Sequence, residues 1–162
     1  MLTVSDTRTD ETDKSGALLA DRLTAAGHAL AAKAIVGDEV EAIRAQVRSW
    51  VAGRDVDVIL TTGGTGFAPR DLTPEAVKPL FRREMDGFST LFHQVSLGTV
   101  GLSTLQSRAC AGQIEDVFLF CLPGSTGACR DAWDLVLGFE LDSRYRPCSL
   151  PEQVPRLRHY FE

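Results

Sequence analysis

The residue types best suited to chemistry lie together in Thr61-Thr62-Gly63-Gly64-Thr65-Gly66-Phe67-Ala68-Pro69-Arg70-Asp71. Gly63, Gly64 and Gly66 carry no Cβ, so an anion can approach their backbone N–H groups closely. Arg70 adds a fork of N–H donors, and Asp71 adds a carboxylate able to share a hard cation with phosphate oxygens. Phosphate handling is the chemistry such a loop suits. It is not a P-loop, because no Gly-Lys-Ser/Thr follows the glycines, and the G-x-G-x-x-G dinucleotide spacing is absent. A tight turn would account for the glycines alone. It would account for neither Arg70 nor Asp71.

A second junction repeats the pattern. The apolar run Val117 to Leu122 reads as a buried strand, Pro123-Gly124-Ser125-Thr126-Gly127 follows it, and a helical pattern runs from Ala128 to Leu141. Ser125 or Thr126 either caps that helix or faces a ligand. Two strand–glycine–hydroxyl–helix junctions suggest two walls of one anion-binding cleft, of the kind found beyond the carboxyl ends of strands in open α/β sheets.

The elements that must position these loops alternate between strand and helix. Leu2 to Ser5 forms a short first strand, and Ser5 and Asp6 at its end fall on the edge of the same cleft. Leu19, Leu23 and Ala26 have helical spacing, closed by Gly27. His28 to Val36 supplies a second strand, and Asp38 begins a helix burying Val40, Ile43, Val47 and Trp50 or Val51. Val56 to Leu60 is a buried strand leading into the glycines, after which Thr73 caps a helix with Pro74 at its first position. Leu80 to Val100 reads as helix broken at Gly87 and Gly98. Ser103 to Gln113 and Glu115 to Leu122 form a small hairpin, and Pro147 to Glu162, with three prolines, is an extended tail of a single domain spanning 1–162.

Composition narrows the class of partner. Among 162 residues, 44% are hydrophobic and 24% charged, as in a soluble globular domain. A formal net charge of −5 argues against nucleic acid or an anionic membrane as the main partner. No apolar run has the length of a membrane span. Cys110, Cys121, Cys129 and Cys148 show no C-x-x-C spacing and suit free thiols in a reducing cytoplasm rather than a zinc site. His28, His93 and His159 are scattered, and Trp50 and Trp133 belong to apolar helical faces. Arg144-Tyr145-Arg146 reads as a solvated basic stretch.

Thr61 to Ala76 (TTGGTGFAPRDLTPEA) together with Leu122 to Ala128 (LPGSTGA) resembles the molybdopterin-binding MoaB/MogA family. Further matches are Leu2 to Thr7, Asp13 to Gly16, Arg83 to Phe88 and Ser103 to Arg108, in family order and reaching about Pro147. The stretches AIRAQV, STLQSRA and RYRPC are closer to the MoaB branch. The resemblance implies a three-layer α-β-α sandwich around a mostly parallel sheet. It also implies adenylylation of molybdopterin, with ATP and molybdopterin as substrates and Mg2+ as cofactor. Asp71 and Asp38 match catalytic positions, and Asp71 is the expected magnesium holder. Asp38 could equally form a capping box with Glu41, and Asp71 an Asx-turn. The substrate-binding set is Thr62, Gly63, Gly64, Thr65, Gly66, Arg70, Pro123, Gly124, Ser125 and Thr126, with Ser5 and Asp6.

Some MoaB-branch relatives lack the Arg-Asp-x-Thr-Pro arrangement. Arg70, Asp71, Thr73 and Pro74 keep it here, which favours an enzyme over a molybdopterin-binding or scaffold homologue without adenylyl transfer. The resemblance further implies a homotrimer or homohexamer, with Phe81, Phe88, Leu91 and Phe92 serving either the interface or the core. Relatives carry a few more apolar residues ahead of Leu2, which points to a start upstream of Met1.

Overall fold

Strands Leu2–Val4 (β1), Ala34–Val36 (β2), Val58–Thr62 (β3), Arg83–Glu84 (β4), Cys110–Ile114 (β5) and Val117–Leu122 (β6) form one sheet in the order β2-β1-β3-β6-β5-β4. The computed structural model describes residues 1–161. β2, β1, β3 and β6 are parallel, and β5 runs antiparallel between β6 and β4. The helices are Lys14–Ala25 (α1), Val40–Gly53 (α2), Thr73–Val77 (α3), Asp86–Val100 (α4), Thr126–Ala132 (α5), Gly138–Glu140 (α6) and Val154–Phe161 (α7). None of them is long and apolar enough to cross a membrane.

The period of two along β6 builds two cores. Phe118, Phe120 and Leu122 point into one with Leu19 and Leu23 of α1, Phe88 and Phe92 of α4, and Cys129 and Ala132 of α5. Val117, Leu119 and Cys121 point into the other with Ile43, Val47 and Val51 of α2 and Ala76 and Val77 of α3. Both faces of β6 are therefore covered, which is why its sequence is apolar without alternation. The result is the expected three-layer α/β sandwich. Phe88 and Phe92 are core residues, while Leu91 remains exposed.

Several elements differ from the sequence reading. β2 begins only at Ala34, because its partner β1 offers just three residues to pair. Gly87 and Gly98 lie within α4, not at breaks; the helix ends at Gly101, whose φ of 59° favours glycine. Residues 80 to 85 hold edge strand β4 in place of helix. The first arm of the hairpin is shorter than expected, since Gly101–Gln106 coils as a 3-10 helix and β5 starts at Cys110. After α5 the chain widens into a π turn at Trp133–Leu137.

The tail is not extended. Leu150–Glu152 forms a 3-10 turn and α7 follows, with Pro151 and Pro155 each in a first turn, where proline lacks no needed N–H. Val154 is buried, Leu150 and Leu157 pack on the first core, and Arg158 pairs with Asp57 at 2.7 Å. Glu162 lies outside the described residues.

The chain runs from β1 outward to β2, then returns across β1 to β3. This reversal opens a crevice beyond the carboxyl ends of β1 and β3.

Candidate functional site

β3 ends at Thr62, and the next two residues need glycine. Gly63 has φ 106° and Gly64 φ 64°. A Cβ on Gly63 would fall far inside contact distance of the Val4 carbonyl oxygen, and one on Gly64 would strike Thr73 Oγ1. A Cβ on Gly66 would sit 2.7 Å from Asp71 Oδ2. The Gly63 N–H donates to Leu122 O at 3.1 Å, fastening the loop to the end of β6. Thr73 corrects the expectation of a cap, since Leu72 occupies that position. The Thr73 hydroxyl instead donates to Gly63 O at 2.8 Å, and its N–H to Gly64 O at 3.0 Å. These bonds fold the loop back over itself. The N–H groups of Gly64, Thr65 and Gly66 are left without chain partners among the described residues.

Asp71 closes the far end of the loop. Its N–H donates to Ala68 O at 2.9 Å, and its Oδ2 accepts from the Ala68 N–H at 2.8 Å. The carboxylate turns back into the loop instead of forward onto α3. Its other oxygen has no hydrogen-bond partner among the described residues.

The loops after β1 and β2 are joined through two aspartates. The Asp6 N–H donates to Asp38 Oδ2 at 2.9 Å, and the Asp38 N–H returns the bond to Asp6 Oδ1 at 3.0 Å. Arg70 Nε lies 2.7 Å from Asp6 Oδ2, and its Nη2 donates to Asp38 O at 3.4 Å. Asp38 does not cap α2: Glu39 holds the cap position, with no side-chain bond. Burial raises the Asp38 carboxyl above its ordinary value of 3.8, and the Asp6 and Asp71 carboxylates raise it further, against the Asp6 N–H and Arg70. Three carboxylates and one guanidinium thus face the crevice. Ser5 Oγ shapes the turn after β1 by accepting from the N–H groups of Thr7 and Arg8, both at 3.2 Å.

The second glycine loop lies directly against the first. A Cβ on Gly124 would be 3.2 Å from Gly63 Cα. Thr62 Oγ1 donates to Pro123 O at 2.8 Å and lies 3.2 Å from Cys129 Sγ, so this buried hydroxyl joins the two loops from beneath. Burial pushes the Cys129 thiol up to about 11, which keeps it a neutral packing group. Ser125 caps α5, its Oγ accepting from the Ala128 N–H at 3.2 Å, while the N–H groups of Gly124 and Ser125 have no chain partner among the described residues. Thr126 is the first residue of α5, and Thr65 is buried.

Arg108 and Glu75 are the neighbours that sequence reasoning missed. Arg108 Nε donates to Gly66 O at 2.9 Å and Nη2 to Asp71 O at 2.6 Å, while Nη1 pairs with Glu75. The Arg108 N–H reaches Thr65 O at 3.0 Å, and the guanidinium lies 5.3 Å from the Phe67 ring centroid. Burial raises the Glu75 carboxyl, but the Arg108 hydrogen bond, its own backbone N–H and the positive charges of Arg108 and Lys78 bring it below the usual range. The only signal in the sequence was the presence of Arg108 in the STLQSR stretch. Its partners are 42 and 37 residues away.

The remaining candidates are structural. His93 Nδ1 lies 2.9 Å from Thr104 Oγ1, and His28 packs edge-on against Trp133. All four cysteines are free. Among the described residues no three His, Cys, Asp or Glu side chains form a ready-made metal cluster.

The crevice can receive an anion on unpaired N–H groups while carboxylates stand beside it. The chain matches, over residues 1–143, the family described as a probable molybdopterin binding domain. It is 50% identical over 149 residues to molybdenum cofactor biosynthesis protein B of Escherichia coli (strain K12), covering 92% of this chain and 88% of that protein. A crystal structure of a molybdenum cofactor biosynthesis protein B superposes with a TM-score of 0.87 at 41% identity, covering 98% and 93% of the two chains. The molybdopterin biosynthesis enzyme MoaB of Thermus thermophilus superposes with a TM-score of 0.79 at 32% identity, covering 98% and 94%.

Proposed function

We propose, because this chain belongs to the MoaB/MogA family of molybdopterin-binding domains, that its crevice adenylylates molybdopterin with ATP. Membership carries the broader role, molybdenum cofactor biosynthesis. The observation that carries the finer reading is the run of unpaired N–H groups at Gly64, Thr65 and Gly66 between the carboxylates of Asp38 and Asp71. A phosphate-binding turn needs only the N–H groups. Carboxylates beside it suit a reaction in which a cation accompanies the phosphates.

In the proposed reaction an oxygen of the terminal phosphate of molybdopterin attacks the α-phosphorus of ATP. The bond from that phosphorus to the β-bridging oxygen breaks, pyrophosphate leaves and adenylyl-molybdopterin forms. The N–H groups of both glycine loops hold phosphate oxygens in place, which aligns the two anions before reaction. Arg70, fixed by Asp6, adds positive charge at the rim. Magnesium fits the donor set, because Asp38 Oδ1 and Asp71 Oδ1 accept no hydrogen bond among the described residues and magnesium favours one or two carboxylates with phosphate oxygens. When bound there it would offset the negative charge that the two substrates bring together.

Leu97, Val100, Leu102 and Leu105 are exposed beyond the middle of α4. Family membership makes a trimer or paired trimers in the cytoplasm the expected assembly, and these exposed apolar side chains are available to such an interface.

The test is to mix protein, molybdopterin, ATP and magnesium and follow adenylyl-molybdopterin and pyrophosphate. Magnesium-dependent formation of both would support the enzyme. One contact favours a binding-only scaffold: Asp71 Oδ2 is already engaged by the Ala68 N–H. Pterin binding with no pyrophosphate release would support that second reading and overturn the first.

A further inference from the structure

We infer that Arg108 is a positioning residue for Asp71, acting by clamping both ends of the loop that carries it. The inference rests on the adenylyl-transfer reading for its kinetic consequence, though the clamp itself is a matter of geometry.

Gly66 and Asp71 bound the segment Phe67-Ala68-Pro69-Arg70, four residues that are all exposed. None of its residues belongs to either core among the described residues. Its internal tie is the pair of bonds between Ala68 and Asp71, and Arg70 reaches across to Asp6. Against the opposite side lies one guanidinium. Nε takes the carbonyl at the start of the segment and Nη2 the carbonyl at its end. Nη1 is taken by Glu75 on α3, so the clamp is itself anchored to a helix of the second core. The Arg108 backbone N–H fixes Thr65 O just upstream, and the Phe67 ring lies over the guanidinium face.

Each of the three guanidinium nitrogens already donates within the chain, which leaves one N–H on each terminal nitrogen and commits the planar fork to the loop and to Glu75. Arg108 binds the backbone of Asp71 and not its carboxylate. Its effect on chemistry therefore passes through where Asp71 stands. A lysine cannot replace it, because one ammonium cannot span two carbonyls and a carboxylate in the planar fork that arginine presents. Displacement of a catalytic group by about 1 Å can cost about 10²-fold in rate.

The test compares wild type, Arg108→Lys, Asp71→Asn and the double variant. Arg108→Lys is expected to lower kcat at least ~10-fold while changing the KM for ATP less than ~3-fold, since the glycine N–H groups remain. In the Asp71→Asn background the same substitution is expected to cost almost nothing, because the group it positions has already been altered. Backbone hydrogen exchange at Ala68 and Asp71, whose N–H groups are bonded within the segment, should accelerate in Arg108→Lys, with the rest of the sheet unchanged. An unchanged kcat, or an equal loss in the Asp71→Asn background, would overturn the inference. If wild type releases no pyrophosphate, the adenylyl-transfer reading fails. Exchange then decides the clamp alone: faster exchange confined to Ala68 and Asp71 supports it, and unaltered exchange overturns it.

Discussion

The two glycine loops look alike in sequence and do different work. In the first, Gly63 and Gly64 take left-handed φ values, and charged groups from four separate segments gather around the turn: Asp6, Asp38, Asp71 and Arg108. In the second, no glycine has positive φ, no charged side chain is hydrogen-bonded to it among the described residues, and Ser125 is occupied in capping α5. Gly124 serves closeness, because a Cβ there would stand 3.2 Å from Gly63 Cα. The contrast separates two uses of glycine beside a ligand. One permits a backbone shape that places acids and N–H groups together; the other permits a second wall to come near.

The sharpest way to break this comparison is to neutralise the acid that only the first loop has. Asp71→Asn should lower adenylyl transfer by ~10²–10³ while preserving the fold, the scale of losing one oriented charge-stabilising group. Turnover close to wild type, measured as pyrophosphate release, would remove Asp71 from the mechanism. The next effect is on stability. Gly63→Ala combines a left-handed φ with a clash against the Val4 carbonyl and should cost about 3 kcal/mol, whereas Gly124→Ala should cost about 1 kcal/mol. Urea unfolding of the pair tests this, and equal losses would erase the distinction between the loops.

A smaller effect belongs to the cap of the second loop. Ser125→Ala should destabilise by about 1 kcal/mol and leave turnover within a few-fold of wild type. A collapse in turnover at unchanged stability would show that the Ser125 hydroxyl serves the substrate instead. The smallest effect is a pH dependence from Asp38. Its carboxyl is raised in the folded protein above the ordinary 3.8, chiefly by burial, so folding binds its proton more tightly. Stability from that proton is fully present below the unfolded value and is lost as pH rises through the folded value. The thermal midpoint of wild type relative to Asp38→Asn should therefore fall as pH is raised from below the ordinary 3.8 through the higher folded value. A constant difference would show that the raised carboxyl has no bearing on stability.

Much of the fold was legible because its signals are local. The apolar run of β6, the i, i+4 spacing of Ile43, Val47 and Val51, and Gly27 closing α1 with a φ of 90° each needed only a few neighbouring residues. The C-terminal segment misleads because proline breaks helix interiors, whereas Pro151 and Pro155 stand where helices begin. Thr73 misleads in a similar way: a threonine before Pro74 suits a cap, but its hydroxyl meets a carbonyl ten residues earlier. At the site, the glycines, Arg70 and Asp71 were visible as a cluster in sequence. Asp38 was visible only through family resemblance, and its release from capping depends on Asp6, 32 residues away. Arg108 was hidden by distance along the chain, since nothing in a short window shows which backbone carbonyls a guanidinium will find.

The reciprocal bonds between Asp6 and Asp38 also limit how this protein can vary. Each carboxylate satisfies the other residue's N–H, and Asp6 additionally holds Arg70. Replacing either aspartate by alanine leaves a backbone donor in the partner loop without its acceptor, and replacing Asp6 also frees the arginine. Asparagine keeps an acceptor at either place and should be the gentlest single step. Positions 6 and 38 are therefore expected to change together over evolutionary time, two sites far apart in the gene behaving as one inherited unit.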